Sequence, residues 1–363
     1  HLGEALLDGL FGRCPAVLPP LRELGGLKRF LLPAGWAAVV AASPEQAELR
    51  LSRVRDALDA GETRFFAPDG LSLLGRVSGP GRLGFLFPGQ GSGRGTTGGA
   101  LRRRFTEVAE VYQTAALPAG GDTVATEVAQ PRIVTGSLAG LRALSMLGLE
   151  AGVAVGHSVG EISALHWAGA MDGAALLRIA TVRGREMGRH SACGTMASLG
   201  AAPEVVARIT ATLPVVISGY NGPGQTVVAG PVDAVEAACR LAVADGIVAT
   251  RLAVSHAFHS PLVAPAAESF GAALAAEPLA PVYGRIISTV TGAALDPETD
   301  LAALLCRQIT DPVLFSQALA LAAKEVDLFV EVGPGRVLTR LAAAAVDTPA
   351  VALDTDDESL ASL

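Results

Sequence analysis

The sequence predicts an α/β protein: a parallel-sheet domain interrupted by a small split βαβ unit and preceded by a smaller α/β segment. Three observations carry that expectation. From residue 83 onward, short apolar runs bounded by glycine or proline alternate with helical stretches, the pattern of strands buried on both faces and crossed over by helices. Between residues 195 and 254 the order becomes β-α-β-β-α-β, the ferredoxin-like signature. A Gly/Pro-rich stretch at residues 75–84 separates both from what comes before. The length of 363 residues exceeds one ordinary core and fits about two or three domains of roughly 100–200 residues. Half the residues are hydrophobic but only 4% are aromatic, so the core is aliphatic.

Taken in order, residues 1–80 combine a helical pattern at 44–60 (PEQAELRLSRVRDALDA) with a strand-like piece at 36–41, and form a small α/β adaptor. Residues 81–194 hold the first part of the large subdomain. Leu83–Phe87 (LGFLF) is a buried parallel strand stopped by Pro88 and Gly89, residues 131–149 a helix ending at Gly148, and residues 151–155 the next strand. Residues 195–256 are the inserted small subdomain, with strands at 196–199, 215–220, 226–229 and 247–253 and helices at 203–213 and 231–245. Residues 257–363 return to the large subdomain and supply further strands at 282–290 and 328–332. Strands joined through helices of this length imply right-handed crossovers.

Charge and composition exclude several functions. The net charge of -7, with no Lys/Arg cluster interleaved with aromatics, argues against nucleic acid as a partner. The run Arg102, Arg103, Arg104 reads as a solvated helix face. Every long apolar run is broken by charge or glycine within about 20 residues, so no membrane span is expected and the chain reads as soluble and cytoplasmic. Cys14, Cys193, Cys239 and Cys306 lie far apart without CxxC spacing, which favours neither a zinc site nor a disulfide framework and points to a reducing compartment. No signal peptide opens the chain, and its start at His1 suggests a piece of a longer polypeptide.

The chemistry centres on Gly156-His157-Ser158-Val159-Gly160, a GxSxG match between a strand and a helix. That context is what a nucleophile elbow requires: a serine thrown out of a strand at a strained angle leaves no room for side chains two residues either way. The following helix then aims its free N–H groups at an oxyanion. Chance GxSxG matches are common in glycine-rich chains, and the bland alternative is a small residue tolerated in a bend. A serine also needs a base. Of six histidines, His1 is terminal, His166 and His190 sit on helical stretches where a packed or surface role is the simpler reading, and His157 points away from its neighbour. His256 and His259 remain, in a loop-like stretch where the chain re-enters the large subdomain and a cleft is expected. A second glycine loop, residues 87–93, lacks the lysine of a phosphate-binding loop and is better placed to bring a second oxyanion N–H to the elbow.

In this combination the chain resembles the malonyl-CoA:acyl carrier protein acyltransferases, specifically the acyltransferase domains of type I polyketide synthases. The motif FPGQGS at Phe87–Ser92 is similar to the family's FPGQGSQ, residues 156–161 to its GHSxGE, and residues 256–259 to its HAFH. Gln130-Pro131, Arg183 25 residues after Ser158, and Val332-Gly333-Pro334-Gly335 agree in order and spacing. The resemblance covers about residues 83–345. It implies an α/β-hydrolase-like large subdomain with a ferredoxin-like small one, and makes residues 1–80 the adaptor that joins a ketosynthase to its acyltransferase.

Carried over by position, the resemblance makes Ser158 the nucleophile toward the thioester of malonyl-CoA and His259 its base. The N–H groups of Gln90 and Val159 hold the oxyanion. The main-chain carbonyl of Gln308 steers His259 in place of a triad acid, whose main task is to orient the imidazole. Arg183 clamps the malonyl carboxylate by two parallel charge-assisted hydrogen bonds. His256, Phe258 and His157 complete the substrate-binding set. The HAFH form and Val159 resemble malonyl-selective domains, with Phe258 crowding the space of an α-methyl group. A methyl group is worth only about 1–3 kcal/mol in a pocket, which leaves room for methylmalonyl leakage. The acceptor implied is the phosphopantetheine thiol of an acyl carrier protein, with no separate cofactor and no metal. The family's second glutamine is Gly93 here, in an unusually glycine-rich loop, a divergence that fits an iterative, enediyne-type synthase. The competing reading is a serine esterase or thioesterase of the α/β-hydrolase class, which calls for an acid between serine and histidine and has no use for Arg183.

Overall fold

The computed structural model describes residues 27–32, 35–41, 43–67, 72–75, 81–92, 97–117, 125–190, 194–254 and 256–358. Gly93 and the first 26 residues of the adaptor, on which some of these expectations fall, lie outside them. The chain divides into two compact units, one within His1–Gly81 and the other Arg82–Glu358.

In the first unit, strands β1 (Leu27–Leu32), β2 (Gly35–Val40), β3 (Phe65–Phe66) and β4 (Ser72–Gly75) form an antiparallel sheet in the order β1-β2-β4-β3. The helix Pro44–Asp59 starts where Ser43 accepts a hydrogen bond from the Gln46 N–H at 3.3 Å and Pro44 occupies a first-turn position that needs no donor. Its Val54 and Ala57 pack on Ala37 and Val39 of β2, with Leu51, Leu58 and Phe65 closing a small aliphatic core.

The second unit is built on a parallel sheet of β5 (Leu83–Phe87), β6 (Val153–Gly156), β11 (Leu328–Gly333) and β12 (Ala350–Asp354), in the order β12-β11-β5-β6. All of β6 is buried, as is β5 after Leu83, which is why these strands read as unbroken apolar runs. The helix expected at 131–149 runs from Thr126 to Met146. It takes Pro131 inside its second turn and ends in a paired turn at Gly148, whose φ of 68° lets Leu149 N–H reach the Leu144 carbonyl at 3.0 Å.

Between the two halves of this sheet, β7 (Thr195–Leu199), β8 (Val216–Gly222), β9 (Gln225–Gly230) and β10 (Ala249–Arg251) form a second, antiparallel sheet in the order β10-β7-β9-β8. The helices Pro203–Ile209 and Val232–Ala244 connect its strands, and Val206, Val235, Ala238 and Ala242 cover the sheet from one side. This is the split βαβ arrangement, fully antiparallel because each outer strand returns beside an inner one. The open side of β8 is taken by Val313 of the large part: Tyr220 N–H donates to the Val313 carbonyl at 2.8 Å, and Val313 N–H to Ser218 at 3.0 Å.

One expected strand does not form. Residues 282–290 make a single parallel bridge, Ala154 to Ile286, before leaving the sheet. The chain then folds back on itself, with an antiparallel bridge from Ile287 to Ala294 and Ser288 N–H on the Ala293 carbonyl at 2.8 Å, while the Ser288 and Thr289 hydroxyls donate to the buried Glu161 carboxyl.

Candidate active site

The elbow forms where β6 runs out. Gly156 and Gly160 are both needed. A Cβ on Gly156 would lie 2.3 Å from the Glu161 backbone, and one on Gly160 2.1 Å from the Phe87 carbonyl oxygen. Between them Ser158 adopts φ 52°, a left-handed conformation that an L side chain enters at a cost of about 1–3 kcal/mol and that the surroundings must over-determine. They do so with four bonds. His157 N–H donates to Phe87, Gly160 N–H to His157 and Glu161 N–H to Ser158, each at 2.9 Å, and the side-chain amide of Gln308 donates to the Ser158 carbonyl at 2.8 Å.

Behind the elbow, Glu161 is fully buried at the start of the Gly160–Trp167 helix. Its carboxyl accepts from the Ser288 hydroxyl, from the Thr289 N–H at 3.2 Å and from the Thr289 hydroxyl at 2.7 Å. Burial nevertheless dominates and pushes its pKa up to about 7, the three donors offsetting only part of the desolvation.

His259 meets the serine with Nε2 2.9 Å from Ser158 Oγ. It too is held at positive φ, 57°, with its N–H on the Ile309 carbonyl at 3.1 Å. Its Nδ1 lies 2.9 Å from the main-chain oxygen of Asp311. A carbonyl only accepts, so Nδ1 carries the proton and Nε2 is left as the acceptor for the serine hydroxyl. The carbonyl in hydrogen-bond geometry is therefore that of Asp311, where the sequence reading named Gln308. The Gln308 carbonyl acts on the same ring more weakly, and the Gln308 side chain holds the nucleophile's own backbone. The difference arises at the end of the Leu301–Thr310 helix, where Asp311 turns to φ -74°, ψ 150° and swings its carbonyl off the helix axis toward the imidazole. The Asp311 carboxylate is engaged elsewhere, with Arg307 at 2.9 Å.

Arg183 lies in the Gly173–Arg189 helix, 1% exposed, with Nε and Nη2 buried and lacking any hydrogen-bond partner. Burial lowers its pKa to about 9, which leaves it charged at neutral pH. Its helix crosses the Thr126–Met146 helix closely: a Cβ on Gly184 would sit 2.7 Å from the Thr126 carbonyl oxygen. Thr126 also receives the Gln90 side-chain amide at 3.4 Å, which ties the turn after β5 to the same wall. That turn lies against the elbow, since a Cβ on Gly89 would come within 2.6 Å of the His157 oxygen. Buried Val159 heads the Gly160–Trp167 helix, whose Gly160, Glu161 and Ile162 N–H groups donate to the carbonyls of His157, Ser158 and Val159.

Burial is the first cause that holds His259 down to a pKa of about 3, followed by the charge of Arg183 and by His157; the two main-chain carbonyls oppose them. His256 and Phe258 pack edge to face at 5.3 Å, both largely buried, and His256 Nδ1 has no hydrogen-bond partner. His157 directs Nε2 to Asn221 Oδ1 on β8 at 2.9 Å and its ring to Phe315 at 5.5 Å, so it links the elbow to the small subdomain.

Sequence reading missed three contributors: Asn221, the Ser288/Thr289 pair and the Asp311 carbonyl. Glu161, adjacent to the elbow, was the available signal for the pair. A main-chain acceptor has no sequence signature at all. Among the described residues, no group of three or more His, Cys, Asp or Glu side chains is placed to hold a metal. Nor is any helix among them long and apolar enough to cross a membrane.

The chain that sets half-buried Ser158 against buried His259, near an arginine with unpartnered nitrogens, is matched by a family model. Residues 49–362 fit the one described as acyl transferase domain. The chain belongs to the acyl transferase domain family.

Within that family it is 35% identical over 316 residues to polyketide synthase GfsA of Streptomyces halstedii, 79% of this chain but only 4% of the relative. It spans 6% of polyketide synthase GfsB of the same organism. The malonyl CoA-acyl carrier protein transacylase of Bacillus subtilis (strain 168) is 34% identical over 282 residues, 72% of this chain and 89% of that protein. Among solved structures, the acyltransferase domain of an iterative polyketide synthase in enediyne biosynthesis superposes with a TM-score of 0.78 at 38% identity, over 92% of this chain and 81% of that one. The malonyl CoA-acyl carrier protein transacylase of Clostridium perfringens gives 0.71 at 30% identity, over 77% and 94%.

Proposed function

We propose that this acyl transferase domain moves a malonyl group from malonyl-CoA, through an ester on Ser158, to the phosphopantetheine thiol of an acyl carrier protein. The observation that carries the reading is Arg183: a buried guanidinium with two unpartnered nitrogens in the site of the serine–histidine pair. An unpaired buried charge is costly, and a planar carboxylate is the partner its fork geometry fits.

In the first half-reaction Ser158 Oγ attacks the thioester carbonyl and its proton passes to His259 Nε2, 2.9 Å away. Gln90 and Val159 N–H groups take the oxyanion, aided by the positive end of the Gly160–Trp167 helix. Collapse breaks the C–S bond and the departing thiolate takes the proton from His259. The second half-reaction runs in reverse: the carrier thiol gives its proton to His259, attacks the ester, and Ser158 recovers the proton. Phe258 and Val159 bias the pocket toward malonyl over methylmalonyl.

The likeness to polyketide synthases, and to the acyltransferase domain of an iterative synthase in enediyne biosynthesis, supports a synthase of that type as the parent polypeptide. A ketosynthase neighbour and a cytoplasmic location complete the same reading. The esterase alternative is disfavoured because His259 Nδ1 meets a carbonyl where a hydrolase triad presents a carboxylate. Mass spectrometry after incubation with malonyl-CoA tests the proposal. A malonyl adduct on Ser158, absent in Ser158→Ala and discharged by a phosphopantetheinylated carrier protein, is the expected result. Free malonate without an adduct would favour the esterase.

A further inference from the structure

The site holds more positive than negative charge. Arg183 is buried with two nitrogens unpartnered, and the imidazole on which its charge acts leans on main-chain carbonyls. The groups acting on His259 can be named from each element packed around it. The charge of Arg183, on the Gly173–Arg189 helix, and His157, on the elbow, both disfavour its protonated form. The carbonyls of Gln308 and Asp311 favour that form from the end of the Leu301–Thr310 helix. His256 lies on its own segment, edge to face with Phe258. The nearby carboxylates are committed to other partners: Asp311 to Arg307, and Glu161 to Ser288 and Thr289 behind the elbow. A Ser–His–acid site carries one negative charge that stabilises the imidazolium as it forms. Here none of the groups acting on the ring supplies it.

We propose that the carboxylate carried by the acyl group itself supplies the missing negative charge: by pairing with Arg183 it cancels the positive charge that opposes proton transfer to His259, so that a carboxylated acyl thioester activates the base and a neutral one does not. The inference rests on the malonyl reading above and extends it. Arg183 then selects the substrate twice, once by binding the carboxylate and once through the rate of the chemical step. Bond changes are those already described: the Ser158 Oγ–H proton moves to His259 Nε2 and leaves with the thiolate. Only the electrostatic cost of holding it changes. Selection also acts on the second half-reaction, because a malonyl ester keeps Arg183 paired while the carrier thiol gives up its proton.

The physical size of the effect follows from charge proximity. A neighbouring charge moves a titration by up to about 1–3 units, and neutralising it returns that part of the shift, while the larger part that comes from burial stays. Binding of a neutral acyl group leaves Arg183 charged and His259 as reluctant as in the free protein.

The test uses the full chain carrying Ser158→Ala, which binds acyl-CoA without turning it over, with His259 followed by NMR from its ring Cε1–H signal. With saturating malonyl-CoA, His259 is expected to titrate about 1–3 units higher than with saturating acetyl-CoA. In the double variant Ser158→Ala/Arg183→Gln the two esters are expected to give one titration. Equal titrations with the two esters in the single variant, or a difference that survives loss of Arg183, would overturn the proposal. Failure of the malonyl reading has a different signature, namely no malonyl adduct on Ser158 in the unmodified chain.

Discussion

Glu161→Gln offers a quantitative handle on the elbow. In the folded protein the Glu161 carboxyl titrates at about 7 against an ordinary value of 4.5, because burial outweighs its three hydrogen-bond donors. The shift of about 2.5 units, at 1.36 kcal/mol each, amounts to about 3 kcal/mol. Its sign is that of a raised folded value. The stability is fully present below pH 4.5, falls as the carboxyl ionises less readily in the fold than in the unfolded chain, and levels off above pH 7. Glutamine keeps the shape and removes the titration. Its amide can face the hydroxyls of Ser288 and Thr289, which turn to accept, and Thr289 has a second acceptor in the Gly156 carbonyl at 2.8 Å. The difference between the two proteins is therefore expected to change by about 3 kcal/mol between pH 4.5 and pH 8, in favour of the variant at high pH. Denaturant melts report it, with Trp36 replaced by Phe so that Trp167 fluorescence follows the second unit. A stability difference that stays flat across this range would refute the reasoning, since Glu161 would then not be titrating within the fold.

Two further substitutions test the site. Arg183→Ala is expected to lower malonyl loading about 100-fold or more, as loss of a buried charge partner does, while acetyl loading is spared or rises; stopped-time adduct measurements with both esters separate this from equal loss. Gly160→Ala places a Cβ 2.1 Å from the Phe87 carbonyl oxygen and must shift the elbow, so acylation is expected to drop about 100-fold with the fold retained by circular dichroism.

Much of the architecture was legible because its signals are local. Buried parallel strands are continuous apolar runs, as in LGFLF at Leu83–Phe87 and VAVG at Val153–Gly156, and the long helix before the second of them ends at Gly148. The insertion was legible from element order alone, because two β-α-β halves admit few sheet arrangements. The strand expected at 282–290 stops after its bridge to Ala154, because the chain turns back to pair Ile287 with Ala294, while Ser288 donates to a carboxyl 127 residues earlier. The Thr126–Met146 helix likewise starts before Pro131, which lies only in its second turn and removes a single N–H from the ladder.

The sequence by itself determined the types of residue available for chemistry: a serine between glycines on a strand-to-helix turn, two histidines in one loop and an arginine at fixed spacing. Tertiary structure alone decided which of them meet and in what state. It joined Ser158 to His259 across 101 residues, gave the orienting carbonyl to Asp311, left Arg183 charged and unpaired in the interior, and tied His157 to a strand of the inserted subdomain. The physical reason is that hydrogen bonds to main-chain carbonyls and the electrostatic cost of burial depend on distance and solvent exclusion. Neither is a property of residue type or of spacing along the chain.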